Sequence, residues 1–554
     1  VETIRMHSKS GIAILHRVGA ALGASALFLG TVTQAQQRPA ITSHVPEEVA
    51  SRVAPVVGHL SGTERLSLAI SLPLRNQAEL DSLLRQIYDP QSLNFHKYLS
   101  VQEFADRFGP TEADHAAVRR FAEANGLRVM NKAANRMVVD VEGATPDIEN
   151  AFHVALGLFQ HPTEARTFYA PDREPTLDLD VPVLHISGLD NFSLPQAKNF
   201  IASSQTVSPN TATGSGPSGS FLGSDLRTAY YGSGSLNGAG QSVALFEFGG
   251  YQSSDITTYF NNAGQAQNVP IKNVSISGAS VTCPPASCND AEEALDIEQA
   301  LSMAPGLSQL VVYIGKNNIS IFNQIAADNT SKTVSCSWGW KDNASSLDPI
   351  FLEMAAQGQS VFVASGDQGS GTAANVVWPA DDANITSVGG TVLTTASAGG
   401  AWKSETGWKN SAGMPSKNNV PIPSYQKTTG VITSSNHGST TLRNIPDVAS
   451  ESNASQYVCF NAGCRNQGGG TSYASPLWAS FVAMVNQQAA LNGNAPVGFI
   501  NSALYSIGTG SGFGSDFHDI LSGSNGSYPA VKGFDLVTGW GSPTGVNLIN
   551  ALAQ

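Results

Sequence analysis

The sequence predicts two folded regions, a small α+β domain followed by a larger α/β domain on a doubly wound parallel sheet. Three observations lead there. Charge is uneven: residues 1–200 carry 18 basic and 22 acidic groups and residues 201–554 carry 12 and 21, so the second region is only about 9% charged. The strand-like runs of that second region are continuously apolar, the pattern of strands covered by helices on both faces. Between the two, Ser203–Gly219 (SSQTVSPNTATGSGPSG) holds turn formers, no charge and almost no apolar content. Such a segment is an exposed linker open to proteolytic nicking.

In the first region, strand-like runs at Leu66–Leu72 and Arg136–Val141 are interleaved with helical patterns at Asn76–Ile87, Thr111–Ala124 and Pro146–Leu156. In the second, Val243–Phe248, Leu310–Ile314, Thr333–Trp338, Val361–Ser365 and Thr386–Val388 read as buried strands. The helices between them are expected at Ala291–Met303, Ser320–Ala327 and Pro349–Gln357, and another runs from Thr471 to about Ala490. Active sites in such sheets lie beyond the carboxyl ends of the strands, which directs the search for chemistry to the second region.

Composition narrows the function. Hydrophobic residues at 41% exclude a disordered chain, and a net charge of −13 disfavours a nucleic-acid binder, which needs a basic surface. Arg5, His7, Lys9 and Arg17 precede an apolar run from Val18 to Val32 and then Thr33-Gln34-Ala35, the pattern of a secretory signal over residues 1–35. The processed protein is therefore expected to be exported, with no membrane segment. Cys283 and Cys288, like Cys459 and Cys464, stand five residues apart among turn formers, which suggests two short disulfide clips with Cys336 left over in an apolar strand. The alternative is five reduced thiols. With no histidine beside either pair, zinc is disfavoured.

Gly469-Gly470-Thr471-Ser472 opens an apolar helix, so Ser472 has free backbone N–H groups and the positive end of a helix dipole beside it. Those features suit a nucleophile whose adduct carries an oxyanion; the alternative is that Ser472 or Thr471 is simply a helix cap. A serine nucleophile needs a base. Of 11 histidines only His437 and His518 follow residue 200, both in polar turns, so carboxyls come under consideration. Within Asp290–Glu298, Glu292 and Asp296 are four apart and share one helix face; two adjacent carboxyls tend to share a proton, and can act as base and orienter. A solvated acidic helix start is the alternative. Asp367, in Ser365-Gly366-Asp367 at the end of an apolar strand, could donate to an oxyanion if protonated, or be an ordinary turn residue. Near the C-terminus, Asp519 and Asp535 lie in glycine-rich loops that suit a hard cation such as Ca²⁺, although the EF-hand spacing is absent and plain Asx turns would look the same.

Taken together, and in order, these motifs resemble the sedolisin family of serine-carboxyl peptidases. The segments are Glu-x-x-x-Asp at 292–296, Ser365-Gly366-Asp367-x-Gly369, Arg443–Ala449 (RNIPDVA), Gly470-Thr471-Ser472-x-x-x-Pro476 and the two aspartate loops; Phe95–Leu99 and Phe104–Pro110 (FADRFGP) resemble the pro-kumamolisin activation domain. The resemblance implies a subtilisin-like catalytic domain over residues 220–554, preceded by a ferredoxin-like activation domain over 36–200 and a linker with a processing site over 201–219. It implies Ser472 as nucleophile, Glu292 as base, Asp296 as its orienting partner and Asp367 at the oxyanion, with Glu247 and Trp338 extending the carboxyl network. One calcium ion would take the carboxylates of Asp519 and Asp535 and the carbonyls of Ile520, Val531 and Gly533. Gly469 stands where many members have serine, and Gly413–Val420 lacks a run of glycines often seen there.

The expected protein is a secreted acid endopeptidase, monomeric, made as a zymogen whose own propeptide is an intramolecular inhibitor and whose substrates are polypeptides. At about pH 4 a histidine is roughly 99% protonated and cannot accept a proton, whereas a glutamate remains roughly one-third ionised. The alternatives are a catalytically silent calcium-binding surface protein on the same fold, and a neutral-pH subtilisin-like protease, for which the second region supplies no well-placed histidine.

Overall fold

The computed structural model describes residues 41–130, 133–201, 214–284, 289–341, 346–370 and 378–554. The expected signal segment, residues 202–213 of the expected linker, and Cys288 lie outside them.

The first region is built on a four-stranded antiparallel sheet: β1 (Arg65–Ser71), β2 (Arg128–Val129), β3 (Val138–Ala144) and β4 (His185–Ser187), in the order β2-β3-β1-β4. Helices α1 (Gln77–Ile87), α2 (Val101–Arg107) and α3 (Glu112–Ala124) connect β1 to β2, and α4 (Thr145–Phe152) connects β3 to β4. That connectivity and strand order are the ferredoxin-like arrangement. The helix expected to reach Leu156 stops at Phe152, because His153 takes a left-handed conformation (φ 54°) and Leu156 starts a strand instead. The α2 start is fixed by a capping box between Ser100 and Glu103.

Because side chains alternate across a strand, β1 serves two cores. Leu66, Leu68 and Ile70 pack with Val139, Val141, Phe121 and Phe152 inside the first region, while Ala69 joins Val138 and Phe104 in a core completed by Phe322, Ile325, Ile350 and Phe351 of the second.

In the second region, α5 (Gly223–Tyr230) leads to β5 (Ser242–Glu247), α6 (Ser253–Asn262), β6 (Ile271–Ser275), α7 (Ala291–Met303), β7 (Gln309–Ile314), α8 (Asn318–Asp328), β8 (Thr333–Cys336), β9 (Trp338–Gly339), α9 (Asp348–Ala356) and β10 (Ser360–Ala364). Then follow β11 (Thr386–Thr395), β12 (Trp402–Gly407), β13 (Val448–Glu451), β14 (Gly463–Gly469) and α10 (Thr471–Leu491). The main sheet runs β6-β7-β5-β8-β10-β11-β12, with β13 also on β11; the pairs are parallel except β11 with β12. This is the subtilisin-like doubly wound layer. In β5, Val243 and Leu245 face one core and Ala244 and Phe246 the other, which is why its sequence is apolar throughout. The run Thr333–Trp338 is not one strand. It ends at Cys336, and Trp338–Gly339 leaves the sheet to pair antiparallel with Gln196–Ala197.

Cys459 and Cys464 are disulfide-bonded, Cys336 is free and buried, and Cys283 is disulfide-bonded, its expected partner Cys288 lying outside the described residues. Arg443, fully buried, makes two hydrogen bonds to Asp447 at 3.0 and 2.6 Å, so the RNIPDVA segment holds an internal ion pair.

Candidate active site

Ser472 is the second residue of α10 and is fully buried. Gly470 precedes the helix with φ 127°, a backbone geometry that L side chains rarely adopt, and a Cβ there would stand 2.3 Å from the Lys198 carbonyl oxygen. The glycine thus lets another stretch of backbone approach the helix start. The Ser472 N–H has no partner within its own helix and donates to Lys198 O at 3.0 Å. The Ser472 hydroxyl donates to Ser337 O at 3.3 Å.

Thr471 links the helix start to the end of β10. Its N–H and hydroxyl both donate to Asp367 Oδ1 at 2.8 Å, and its hydroxyl accepts from Gly366 N–H at 3.0 Å. The other carboxyl oxygen, Asp367 Oδ2, is buried with no hydrogen-bond partner among the described residues and lies 2.7 Å from the point where a Gly470 Cβ would be. Burial pushes Asp367 up to about 7, against the Thr471 hydrogen bonds and the Lys198 ammonium, which favour its ionised form.

Helix α7 has the bounds expected from its sequence, and all its residues are buried, so its carboxyls are not a solvated acidic helix start. Burial holds Glu292 and Asp296 well above the usual carboxylate range, and for Glu292 the charge of Asp296 adds to the effect while the nearby Ser472 hydroxyl opposes it. Asp296 Oδ1 accepts from the Ser337 hydroxyl at 2.8 Å, while Asp296 Oδ2 and Glu292 Oε1 are buried with no hydrogen-bond partner among the described residues. Glu247, at the end of β5, accepts from the Trp338 indole at 3.0 Å and is raised by burial and by the charge of Asp296. Glu293, raised to about 8 by burial, belongs to the same group of acids. These carboxyls compete for few protons and titrate together.

His518 stacks on Trp402 at 3.8 Å and burial lowers it to about 4; His437 sits in a positive-φ turn. Neither is a hydrogen-bond partner of Ser472, whose bonds run to Ser337 and Lys198. The Asp519 carboxylate accepts from Gly533 N–H at 3.0 Å. Asp535 accepts from the N–H groups of Val531, Val537 and Thr538, and burial raises it to about 7. Both carboxylates therefore bind the backbone of the single loop 531–533. Among the described residues no group of three or more His, Cys, Asp or Glu is arranged to hold a metal. A cation here would rely on backbone carbonyls for the remaining oxygens, and this all-oxygen set fits a hard ion.

Three residues escaped the sequence reading. Ser337 touches both Asp296 and Ser472, but within an apolar run nothing marks which way a serine points. Lys198 and Asn199 come from the first region: Asn199 Nδ2 donates to Glu292 Oε2, and Lys198 N–H donates to Ser337 O at 2.9 Å. Only the threading of the chain brings them here.

The pro-kumamolisin activation-domain family model matches residues 38–192. Kumamolisin from Bacillus sp. (strain MN-32) is 30% identical over 93% of this chain and 96% of its own length. Sedolisin from Pseudomonas sp. (strain 101) is 28% identical over 94% and 91%. The solved structure of Pseudomonas sedolisin, a serine-carboxyl proteinase complexed with two molecules of pseudo-iodotyrostatin, superposes with a TM-score of 0.53 at 26% identity, covering 62% of this chain and 98% of that one. With a relative at this level aligned over nearly the whole of both chains, and with an activation domain ahead of a subtilisin-like sheet, the chain belongs to the sedolisin family and is a serine-type peptidase.

Proposed function

We propose that the chain is the zymogen of an exported, acid-working serine-carboxyl endopeptidase, in which Ser472 is the nucleophile, Glu292 the general base, Asp296 its orienting partner and Asp367 the oxyanion donor. One observation carries the reading. A peptide carbonyl, that of Lys198, accepts from the Ser472 N–H, and both it and Asp367 Oδ2, which has no hydrogen-bond partner among the described residues, lie within 2.7 Å of the point where a Gly470 Cβ would stand. Donors aimed at a carbonyl oxygen from the start of a helix favour the charge of a tetrahedral adduct.

In the reactive form the Ser472 hydroxyl turns from Ser337 O to Glu292, whose Oε1 has no hydrogen-bond partner among the described residues. Glu292 must be ionised while the network keeps a proton on Asp296, which then donates to it; Glu247, held by Trp338, discourages a further negative charge nearby. Glu292 takes the serine proton as the acyl-enzyme forms and returns it to the departing nitrogen. Asp367 donates to the oxyanion only while protonated, so activity falls as pH rises through about 7.

Latency fits the same contacts. The activation domain, residues 36–200 in this reading, ends in a segment that covers the nucleophile, and Asn199 occupies one oxygen of the base. Residues 220–554 form the catalytic domain. Asp519, Asp535 and the carbonyls of Ile520, Val531 and Gly533 would hold one Ca²⁺, which supplies positive charge to a loop that otherwise buries the Asp535 carboxylate. No described helix is long and apolar enough to cross a membrane.

The test is digestion of a denatured protein at about pH 3–4 by wild type and by Ser472→Ala. Loss of about 10⁴-fold or more is expected for the variant; retained cleavage would refute the assignment.

A further inference from the structure

Gln196–Ile201 crosses the site as an extended strand. Gln196–Ala197 pairs antiparallel with β9, Lys198 N–H continues that ladder to Ser337 O at 2.9 Å, and Phe200–Ile201 pairs antiparallel with Gly468–Gly469 of β14. Backbone pairing on both sides is how a sheet edge takes an extended peptide. Between the two ladders, the Lys198 carbonyl accepts from the Ser472 N–H at 3.0 Å.

Lys198 is only 6% exposed. It lies along Gly366, where an added Cβ would meet Lys198 Cδ and Nζ at 3.9 Å and Ala412 Cβ at 3.2 Å, so two small residues leave room for a long side chain. Burial disfavours its ammonium, and the carboxyls of Asp367 and Glu292, where ionised, oppose that effect. Burying an ammonium is expensive, so what fits the slot to lysine is its length, which takes the whole side chain along Gly366 and Ala412 with the Asp367 carboxyl acting on its ammonium.

We propose that this slot is the pocket for the residue on the acyl side of the scissile bond, that it selects a long cationic side chain, and that Lys198–Asn199 is the first bond the zymogen cuts, just upstream of the Ser203–Gly219 linker. The proposal rests on the serine-carboxyl reading above. Ser472 Oγ bonds to the Lys198 carbonyl carbon, the carbon–nitrogen bond to Asn199 breaks, and the serine proton passes through Glu292 to the Asn199 nitrogen. Water then hydrolyses the Lys198 ester, restoring the serine hydroxyl and leaving a carboxylate on Lys198. Burial lowers the ammonium to about 8, so it stays protonated under acid conditions.

The experiment uses the full chain, purified near neutral pH and shifted to about pH 4, with the first new N-terminus read by sequencing. A start at Asn199 is expected. Lys198→Glu should slow its appearance by about 10–200-fold, the range one pocket contact commands, while Lys198→Arg stays within a few-fold. As a second readout that needs no variant to fold, the mature wild-type enzyme digests a denatured protein, and Lys and Arg should be enriched about fivefold or more before the cut bonds, a fraction of the discrimination one pocket can give. A first cut elsewhere that ignores Lys198→Glu, or no basic preference in the digest, overturns the proposal. Neither result touches the catalytic assignment if Ser472→Ala abolishes both reactions; an Asn199 end formed by Ser472→Ala would instead overturn the serine mechanism itself.

Discussion

The two regions hold their carboxyls in opposite ways. In the activation domain several are on the surface beside arginines: Glu142 meets Arg65 and Arg128, Asp106 meets Arg136, and Glu164 meets Arg166. Hydrogen bonds from these neighbours, Arg128 and Arg65 for Glu142, Gln102 and Arg136 for Asp106, Arg166 for Glu164, hold the acids below their ordinary values. In the catalytic region Glu247, Glu292, Asp296, Glu298, Glu353 and Glu451 are buried, and burial pushes every one of them up, Glu353 and Glu451 to about 8. The sign of the pH dependence follows. A lowered carboxyl contributes stability that is present above its unfolded value and lost as pH falls through the folded one; a raised carboxyl contributes stability that is present below the unfolded value and lost as pH rises through the folded one. These directions predict that acid loosens the activation domain and tightens the catalytic region. Across the interface, Asn135 of the first region donates at 2.8 Å to Glu353 of the second, a bond that favours the ionised form against the effect of burial.

The largest effect that would break this contrast concerns the buried acids as chemistry. Glu292→Gln should lower kcat/KM by about 10³–10⁴-fold, while Glu142→Gln leaves the mature enzyme unchanged, both read on a peptide substrate at acid pH. Next is the buried pair. Arg443→Ala strands Asp447 and should cost about 3–5 kcal/mol, measured by urea unfolding of the Ser472→Ala chain. Asp367→Asn keeps a donor at every pH. It should lose about 10–100-fold at acid pH and lack the fall near pH 7 that wild type shows, and a pH profile identical to wild type would exclude Asp367 as the titrating oxyanion donor.

For the whole molecule, hydrogen exchange on full-length Ser472→Ala should show catalytic-region protection decreasing as pH rises from about 4.5 to 8, after correction for intrinsic rates, and activation-domain protection decreasing as pH falls below about 4. Parallel changes in both regions would sink the comparison. The smallest effect is Arg65→Ala, which loses one exposed ion pair with Glu142 and should change unfolding stability by less than about 1 kcal/mol.

Much of the fold was readable in advance because strands buried on both faces announce themselves in composition. Ala291–Met303 has its expected bounds, and the strands of the sheet centre fall within a residue or two of expectation apart from Thr386–Thr395, which runs on past Val388 as the partner of β12 and β13. The misreadings are local. Helix α4 ends early where His153 turns left-handed, and Thr333–Trp338 divides where a second chain segment pairs with Trp338. Neither event leaves a periodic trace.

The sequence by itself determined which acids could serve: four-residue spacing puts Glu292 and Asp296 on one face, and a glycine before Ser472 opens the helix start. It also disfavoured a histidine base, since the late histidines are two and neither adjoins a suitable motif. Tertiary structure alone decided what those acids meet. Burial of the whole of α7 raises their proton affinity, Ser337 ties Asp296 to Ser472, and Lys198 lies on Ser472 across more than 270 residues of chain. Such long-range contacts depend on packing between elements, and local residue pattern carries no record of them.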